Sequence, residues 1–268
     1  MTSNDESDYE IPEDHPRFLS LKYRHKIIDG MKKLIVAEAG LIAHGRGECF
    51  DYILGEKTNE NAKSAIKAAV ALLLLAKHPV ISVNGNTAAL CPNELVKFSN
   101  IVNANLEINL FYAKEGRIDA IRKILEDAGA TNLLGIDKDK MVEIQELSSN
   151  RRKVDSLGIK LADVVFVPLE DGDRTEVLKK MGKKIIAVDL NPLSRTAICA
   201  DITIIDNIVR VLPQMISIAK AMKESTKIQQ LQKYVHLFNN KKNIQDGLDI
   251  IINHIKKQKK DALQILKT

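Results

Sequence analysis

Tryptophan is absent from this 268-residue chain, and Phe, Tyr and Trp together make up only 4% of it. The core must therefore be built from Ile, Leu, Val and Ala, and the stacking aromatics of single-strand nucleic-acid binders are scarce. Cysteine is also scarce. Cys49, Cys91 and Cys199 are scattered and form no CxxC pair. That spacing excludes a cysteine-held zinc site, makes a disulfide framework unsuitable, and points to a reducing, cytoplasmic setting. No long apolar run is present either. The longest, Ala68–Ala76, is too short to span a bilayer, so no membrane partner is expected. The acidic first residues predict no signal peptide.

Familiar motifs are missing as well. The chain contains no GxxxxGK[ST] phosphate loop, no HExxH and no GxSxG elbow. Gly45-Arg46-Gly47 begins like a dinucleotide fingerprint, but Phe50 stands where its third glycine belongs. Net charge is only +5, with an acidic start and a Lys-rich end. This is too mild and too dispersed for a nucleic-acid partner.

What remains is an ordinary globular balance, 45% apolar and 28% charged. Short β-branched runs (80–83, 106–111, 132–136, 163–168, 184–189, 202–205) alternate with amphipathic segments (92–103, 116–128, 174–181, 207–222). That alternation predicts an α/β fold: a Rossmann-like, doubly wound, mainly parallel sheet of about six strands. Helical additions are expected at both ends, over 17–35, 60–77 and two segments after 223. Residues 40–58 carry four glycines and read as a loop with a short helix. Residues 137–161 read as a long polar loop of the functional or mobile kind. The expected organisation is a flexible tail over 1–14, a core domain over 15–222 and a helical extension over 223–268.

Ligands of such sheets bind beyond the carboxyl ends of the strands. Four ends are chemically unusual: VNGNTA (83–88), LEDGDRT (169–175), VDLNPLSRT (188–196) and IDNIVR (205–210). In EDGDRT one acid suits a helix cap, which explains one carboxylate and not three. The other reading is a magnesium-nucleotide seat, with Asp171 or Asp173 on Mg²⁺ and Arg174 on phosphate. Asp189 ends a β-branched strand, where an acid accepts from ribose hydroxyls; a plain polar turn there is the competing reading. Asn84-Gly85-Asn86 is either a turn or a close approach to a ligand. The glycines around Arg46, with His44 beside them, suit an anion loop.

Six blocks are more specific than any short motif: HPRFLSLKYRHKIIDGM, GLIAHGRGECFDYILGEKT, LLLLAKHPVISVNGN, LEINLFY, VVFVPLEDGDRTEVLKKMGKKIIAVDLNPLSRTA and ITIIDNIVR. Over about residues 11–222 the chain resembles archaeal phosphopantothenate synthetases, also called 4-phosphopantoate–β-alanine ligases. The resemblance implies condensation of ATP, (R)-4-phosphopantoate and β-alanine into 4′-phosphopantothenate, AMP and pyrophosphate, in coenzyme A biosynthesis. It implies a homodimer with ATP as co-substrate. It places ATP contacts on Arg24, Arg46, Asp171, Gly172, Asp173, Arg174, Thr175, Asp189, Asn191 and Arg195. Catalytic roles fall to Arg46, His44 and Arg174, with His44 the candidate base. Substrate contacts fall to Arg17, Asn84, Gly85 and Asn86, and metal contacts to Asp171 and Asp173. The rivals are a nicotinamide-dependent oxidoreductase, which lacks its fingerprint, and a non-catalytic nucleotide-binding regulator.

Overall fold

The computed structural model describes residues 11–112, 114–147, 150–169 and 172–265. Three helices come first: α1 (Phe18–Lys32), α2 (Glu38–Leu54) and α3 (Glu60–Leu75). Then follow β1 (Pro79–Val83), α4 (Gly85–Leu90), α5 (Pro92–Val102), β2 (Asn105–Ile108), α6 (Arg117–Asp127) and β3 (Leu133–Leu134). A ribbon of β4 (Met141–Glu143) and β5 (Lys153–Asp155) precedes β6 (Val164–Pro168), α7 (Gly172–Lys180), β7 (Lys184–Val188), α8 (Arg195–Cys199) and β8 (Ile202–Ile204). Three helices close the chain: α9 (Ile208–Ser225), α10 (Ile228–Leu237) and α11 (Asn240–Ile265).

Six strands pair in parallel in the order β3-β2-β1-β6-β7-β8, which is the doubly wound order. The direction of winding reverses between β1 and β6, so a crevice opens at the carboxyl ends of these two strands. Both faces of the sheet are covered, which explains why β1 and β6 are buried at every position. Alternate residues serve opposite faces. Val164 and Phe166 join the core beneath α3, α5 and α9, where Phe166 meets Phe98 edge-on at 6.2 Å. Val165 and Val167 join the opposite core with Leu178, Ile185 and the β4–β5 region.

Three local readings change. Residues 40–58 are not a glycine loop; most of them form the 17-residue helix α2. Glycine weakens a helix by roughly 1 kcal/mol per residue, but here it permits close packing. A Cβ on Gly40 would stand 2.3 Å from Asn86 Oδ1. The helix then ends on left-handed Gly55. Second, Asn84-Gly85-Asn86 is no hairpin-type turn. Asn84 caps α4 by accepting from the Thr87 N–H. Third, the described residues of 137–161 carry the β4–β5 ribbon. The fully buried Glu107 of β2 accepts from the backbone N–H groups of Asp155 and Ile159, which pins the ribbon to the sheet. Strand 106–111 is also shorter than expected, ending at Ile108. The acidic tail falls mainly on residues 1–10, outside the described residues.

The C-terminal helices pack on the core. Helix α10 lies on α3, and α11 lies along α2, α3 and β8. Asn243 Nδ2 donates to the Thr203 carbonyl at 2.8 Å, and Asn240 Oδ1 accepts from the Thr203 N–H at 2.8 Å. These bonds satisfy backbone groups of the outermost strand that would otherwise lack a neighbour. No helix among the described residues is long and apolar enough to cross a membrane.

Candidate active site

A cavity of about 710 Å³ occupies the crevice at the reversal point. Its floor is made by the segments that follow β1 (Asn84, Gly85, Asn86), β6 (Leu169), β7 (Asp189, Leu190, Asn191) and β8 (Asn207, Ile208). Helices α1 and α2 form one wall, and Phe111, Tyr112, Arg117 and Arg151 form the β2 end. The fold places these groups together because every sheet strand points its carboxyl end the same way.

The floor is preorganised. Asn84 Nδ2 donates to the carbonyls of Pro168 (2.7 Å) and Leu169 (3.2 Å), while its Oδ1 accepts from the Thr87 N–H and hydroxyl. Leu169 sits at φ 54°, a left-handed conformation uncommon for such a side chain, at the end of β6. Asn86 Nδ2 donates to the Gly40 carbonyl at 2.8 Å, fixing α2 over the floor. Gly85 has no room for a side chain, since a Cβ would lie 2.2 Å from the Ile35 carbonyl oxygen. The amide of Asn84 is therefore committed to the protein, and Asn86 Oδ1 lies against Gly40 of α2.

Asp189 ends β7 and accepts from the Asn191 N–H at 2.9 Å and from the Ser194 hydroxyl. Burial raises its pKa; these hydrogen bonds and the nearby Arg46 oppose that shift. Arg46 lines the same cavity from α2. His44, two residues earlier on α2, is held below the usual imidazole range by burial, with Glu48 opposing and Arg24 assisting the shift. Glu48 is half-buried, which alone would raise its pKa. The hydrogen bonds from Arg24 and Tyr52 outweigh burial and hold its carboxyl below the usual range. Arg24 Nη2 meets both Glu48 oxygens at 2.9 and 2.8 Å, and Arg17 Nη2 donates to Tyr52 Oη at 2.9 Å.

A second network sits behind the floor after β8. Arg210 meets Asp51 at 2.5 Å and Asp206 at 2.6 Å, and Asn207 Nδ2 donates to Asp51 at 2.8 Å. Thr58 Oγ1 donates to the other Asp206 oxygen at 2.6 Å. Asp51, Asn207 and Arg210 all line the cavity.

The expected site residues thus divide. Arg17, His44, Arg46, Asn84, Gly85, Asn86, Asp189 and Asn191 line one cavity. Arg24 does not line it and is paired with Glu48. The EDGDRT segment differs most from expectation. Asp173 is largely exposed and bridges to Arg195 at 2.5 Å, while Arg195 also meets Glu176 at 2.8 Å. Gly172 packs against Arg195, its missing Cβ being 2.4 Å from that residue's Cβ. Thr175 is fully buried, and so is Arg174, which donates from Nη1 to Ser82 Oγ at 3.0 Å under the sheet. Arg174 reaches the core because α7 begins at Gly172 and turns its third residue inward. Asp171 lies outside the described residues. No three His, Cys, Asp or Glu side chains converge on a metal position among the described residues.

Arg117, Arg151, Asp51 and Arg210 were not among the expected site residues. The strand-end rule that selected Asp189 also selects Arg117, the first residue of the helix after β2. Arg210 stood inside the IDNIVR block. Asp51 and Arg151 carry no such signal, because one lies on a helix and the other in a long connection.

The profile of the family described as phosphopantothenate/pantothenate synthetase matches residues 61–254. A 4-phosphopantoate–β-alanine ligase of Thermococcus kodakarensis is 54% identical over 239 residues, covering 89% of this chain and 90% of that protein. The protein of the same name from Methanosarcina mazei is 48% identical over 247 residues, covering 92% and 96%. With that share of both chains aligned, and the family profile running from α3 into α11, the chain belongs to the phosphopantothenate/pantothenate synthetase family.

Proposed function

We propose that this chain is an ATP-dependent ligase that joins (R)-4-phosphopantoate to β-alanine, giving 4′-phosphopantothenate, AMP and pyrophosphate in coenzyme A biosynthesis. The single observation that carries this reading is the cavity at the reversal point, lined by Asp189, Arg46 and His44, in a chain whose relatives bear that ligase name. A nicotinamide oxidoreductase is disfavoured by the missing fingerprint, and a purely regulatory role by the relatives' names.

In this reading a carboxylate oxygen of the acid attacks the α-phosphorus of ATP, and pyrophosphate leaves. The amine of β-alanine then attacks the acyl carbon, and AMP leaves with the former carboxylate oxygen. Asp189 accepts from ribose hydroxyls, using lone pairs beyond those given to Ser194 and Asn191. Arg46 faces the phosphate chain, where charge grows as pyrophosphate departs. His44, kept neutral by burial, takes the proton from the amine, since an ammonium has no lone pair for attack. No side-chain nucleophile is needed; alignment supplies much of the rate.

Magnesium is expected with ATP. The described carboxylates do not fit a protein-built metal seat, because no three His, Cys, Asp or Glu side chains converge among the described residues and Asp173 is tied to Arg195. No step above therefore runs through a metal. A homodimer in the cytoplasm completes the proposal. The exposed apolar side chains Ile42, Leu193 and Ile198 support a subunit contact, and three free cysteines support a reducing setting. The test is incubation with ATP, phosphopantoate and β-alanine. The expected products are AMP and the amide, each dependent on all three substrates; ADP in place of AMP, or no amide, overturns the reading.

A further inference from the structure

The arginines around the cavity are not alike. Arg17 and Arg24 meet Glu48, and Arg210 meets Asp51 and Asp206. Among the described residues Arg117 meets only carbonyls. It opens α6 at the carboxyl end of β2, is 5% exposed, and still lines the cavity. Its Nη2 donates to the Ile35 carbonyl at 2.8 Å and its Nη1 to the Tyr112 carbonyl. Its Nε has no partner, and no described carboxylate pairs with it. Burial, the one cause at work, lowers its pKa. A guanidinium stays charged in a protein and carries five N–H donors, so an unneutralised one on a cavity wall calls for an anion.

Position narrows the anion. Asp189 stands at the end of β7 and Arg117 after β2, three strand spacings away, or about 14 Å at ~4.8 Å each. A nucleotide with its sugar at Asp189 fills the β7 side and brings its phosphates toward the middle. The acid's carboxylate must meet the α-phosphorus there, so the acid's other end extends toward β2. That end is a phosphate monoester. Arg151 lines the same region, where Asn150 Nδ2 donates to the Phe111 carbonyl at 3.1 Å and holds the segment in place.

We propose that Arg117 reads the phosphate of the acid substrate and so sets the preference for the phosphorylated over the unphosphorylated hydroxy acid. The proposal rests on the ligase reading for the identity of the acid. A planar fork that already holds two carbonyls is preorganised for a phosphate, and less of its freedom is lost on binding.

The test is equilibrium binding of phosphopantoate, pantoate and ATP to the full-length chain and to Arg117→Met. Wild type is expected to favour the phosphorylated acid. In Arg117→Met the affinity for that acid falls by about 10- to 100-fold, while pantoate and ATP bind nearly as before. An unchanged ratio between the two acids, or equal weakening of all three ligands, overturns the proposal. The second outcome would mark Arg117 as a structural staple between the Ile35 and Tyr112 segments. If Arg117→Met does not fold, Arg117→Lys decides by the same ratio. A point charge in place of the fork is expected to lower it several-fold, and an unchanged ratio overturns the inference. A wild type that shows the preference and loses it in the variant, yet forms no amide, supports this proposal and sinks the ligase reading.

Discussion

Asn84 Nδ2 lies 2.7 Å from the carbonyl oxygen of Pro168, so one buried side chain ties the end of β1 to the end of β6 at the point where the sheet reverses. The same amide caps α4 through its Oδ1. Asn84→Ala is expected to cost about 1–3 kcal/mol, because two carbonyls and the Thr87 N–H lose their partner in a buried place. In a chain of this size each kcal/mol corresponds to about 2 °C or somewhat more in melting temperature. A thermal melt within 1 °C of wild type, by rough allowance on that scale, would contradict the clamp.

The glycines of α2 make opposite predictions. Gly45 has nothing within 4 Å of a built Cβ, so Gly45→Ala should stabilise the helix by roughly 0.5–1 kcal/mol. Gly40→Ala drives a methyl into the Asn86 amide and should destabilise the chain and impair ATP turnover together. Chemical denaturation of the two variants distinguishes close packing from a loose anion loop. Equal, small effects would favour the loop.

These residues also show what was legible beforehand. The parallel sheet was readable because β1, β6 and β7 are nearly unbroken β-branched runs, and buried parallel strands need nothing else. The helix α2 was not, since local propensity penalises its glycines, and of these Gly40 is explained only by the approach of Asn86. The inward course of Arg174 was equally hidden. Its neighbours Asp173 and Thr175 suggested a phosphate loop, while Ser82, one group that it meets beneath the sheet, lies 92 positions earlier in the chain. Asp189 and Arg46 could be found from strand ends and glycines. Arg117 also follows from the strand-end rule, but that no described carboxylate meets it is visible only in the fold.

His44 is expected to govern the acid side of the rate profile. Burial favours its neutral form, so the base stays active to a pH below the ordinary imidazole value and is lost on further acidification. Glu48 opposes this shift, so Glu48→Gln should move the acid limb further down. His44→Gln should lower kcat by about 100-fold and abolish that limb while leaving the KM for ATP little changed. A full acid limb in His44→Gln would assign the base elsewhere.

Glu107 predicts a pH-dependent stability. Burial pushes its carboxyl up to about 7, against the N–H groups of Ile159 and Asp155 and the charge of Arg174; the charge of Asp155 adds to the rise. The folded state therefore holds a proton that the unfolded chain releases near pH ~4.3. Its stabilising contribution is present below that value and is lost as pH rises through about 7. The total is about 4 kcal/mol. Denaturation midpoints at about pH 5 and about pH 8 should differ less in Glu107→Gln than in wild type. Parallel behaviour of the two proteins would show that Glu107 is ionised throughout. Arg174→Ala, in this setting, should act on stability, at a cost of about 3 kcal/mol.

The most direct test of the site's chemistry follows one oxygen atom. Phosphopantoate labelled with oxygen-18 in its carboxylate is turned over with ATP and β-alanine, and the products are analysed by mass spectrometry. Attack on the α-phosphorus followed by amide formation predicts one labelled oxygen in AMP and none in inorganic phosphate or pyrophosphate. Label in inorganic phosphate with ADP as the co-product, or unlabelled AMP, would contradict the account.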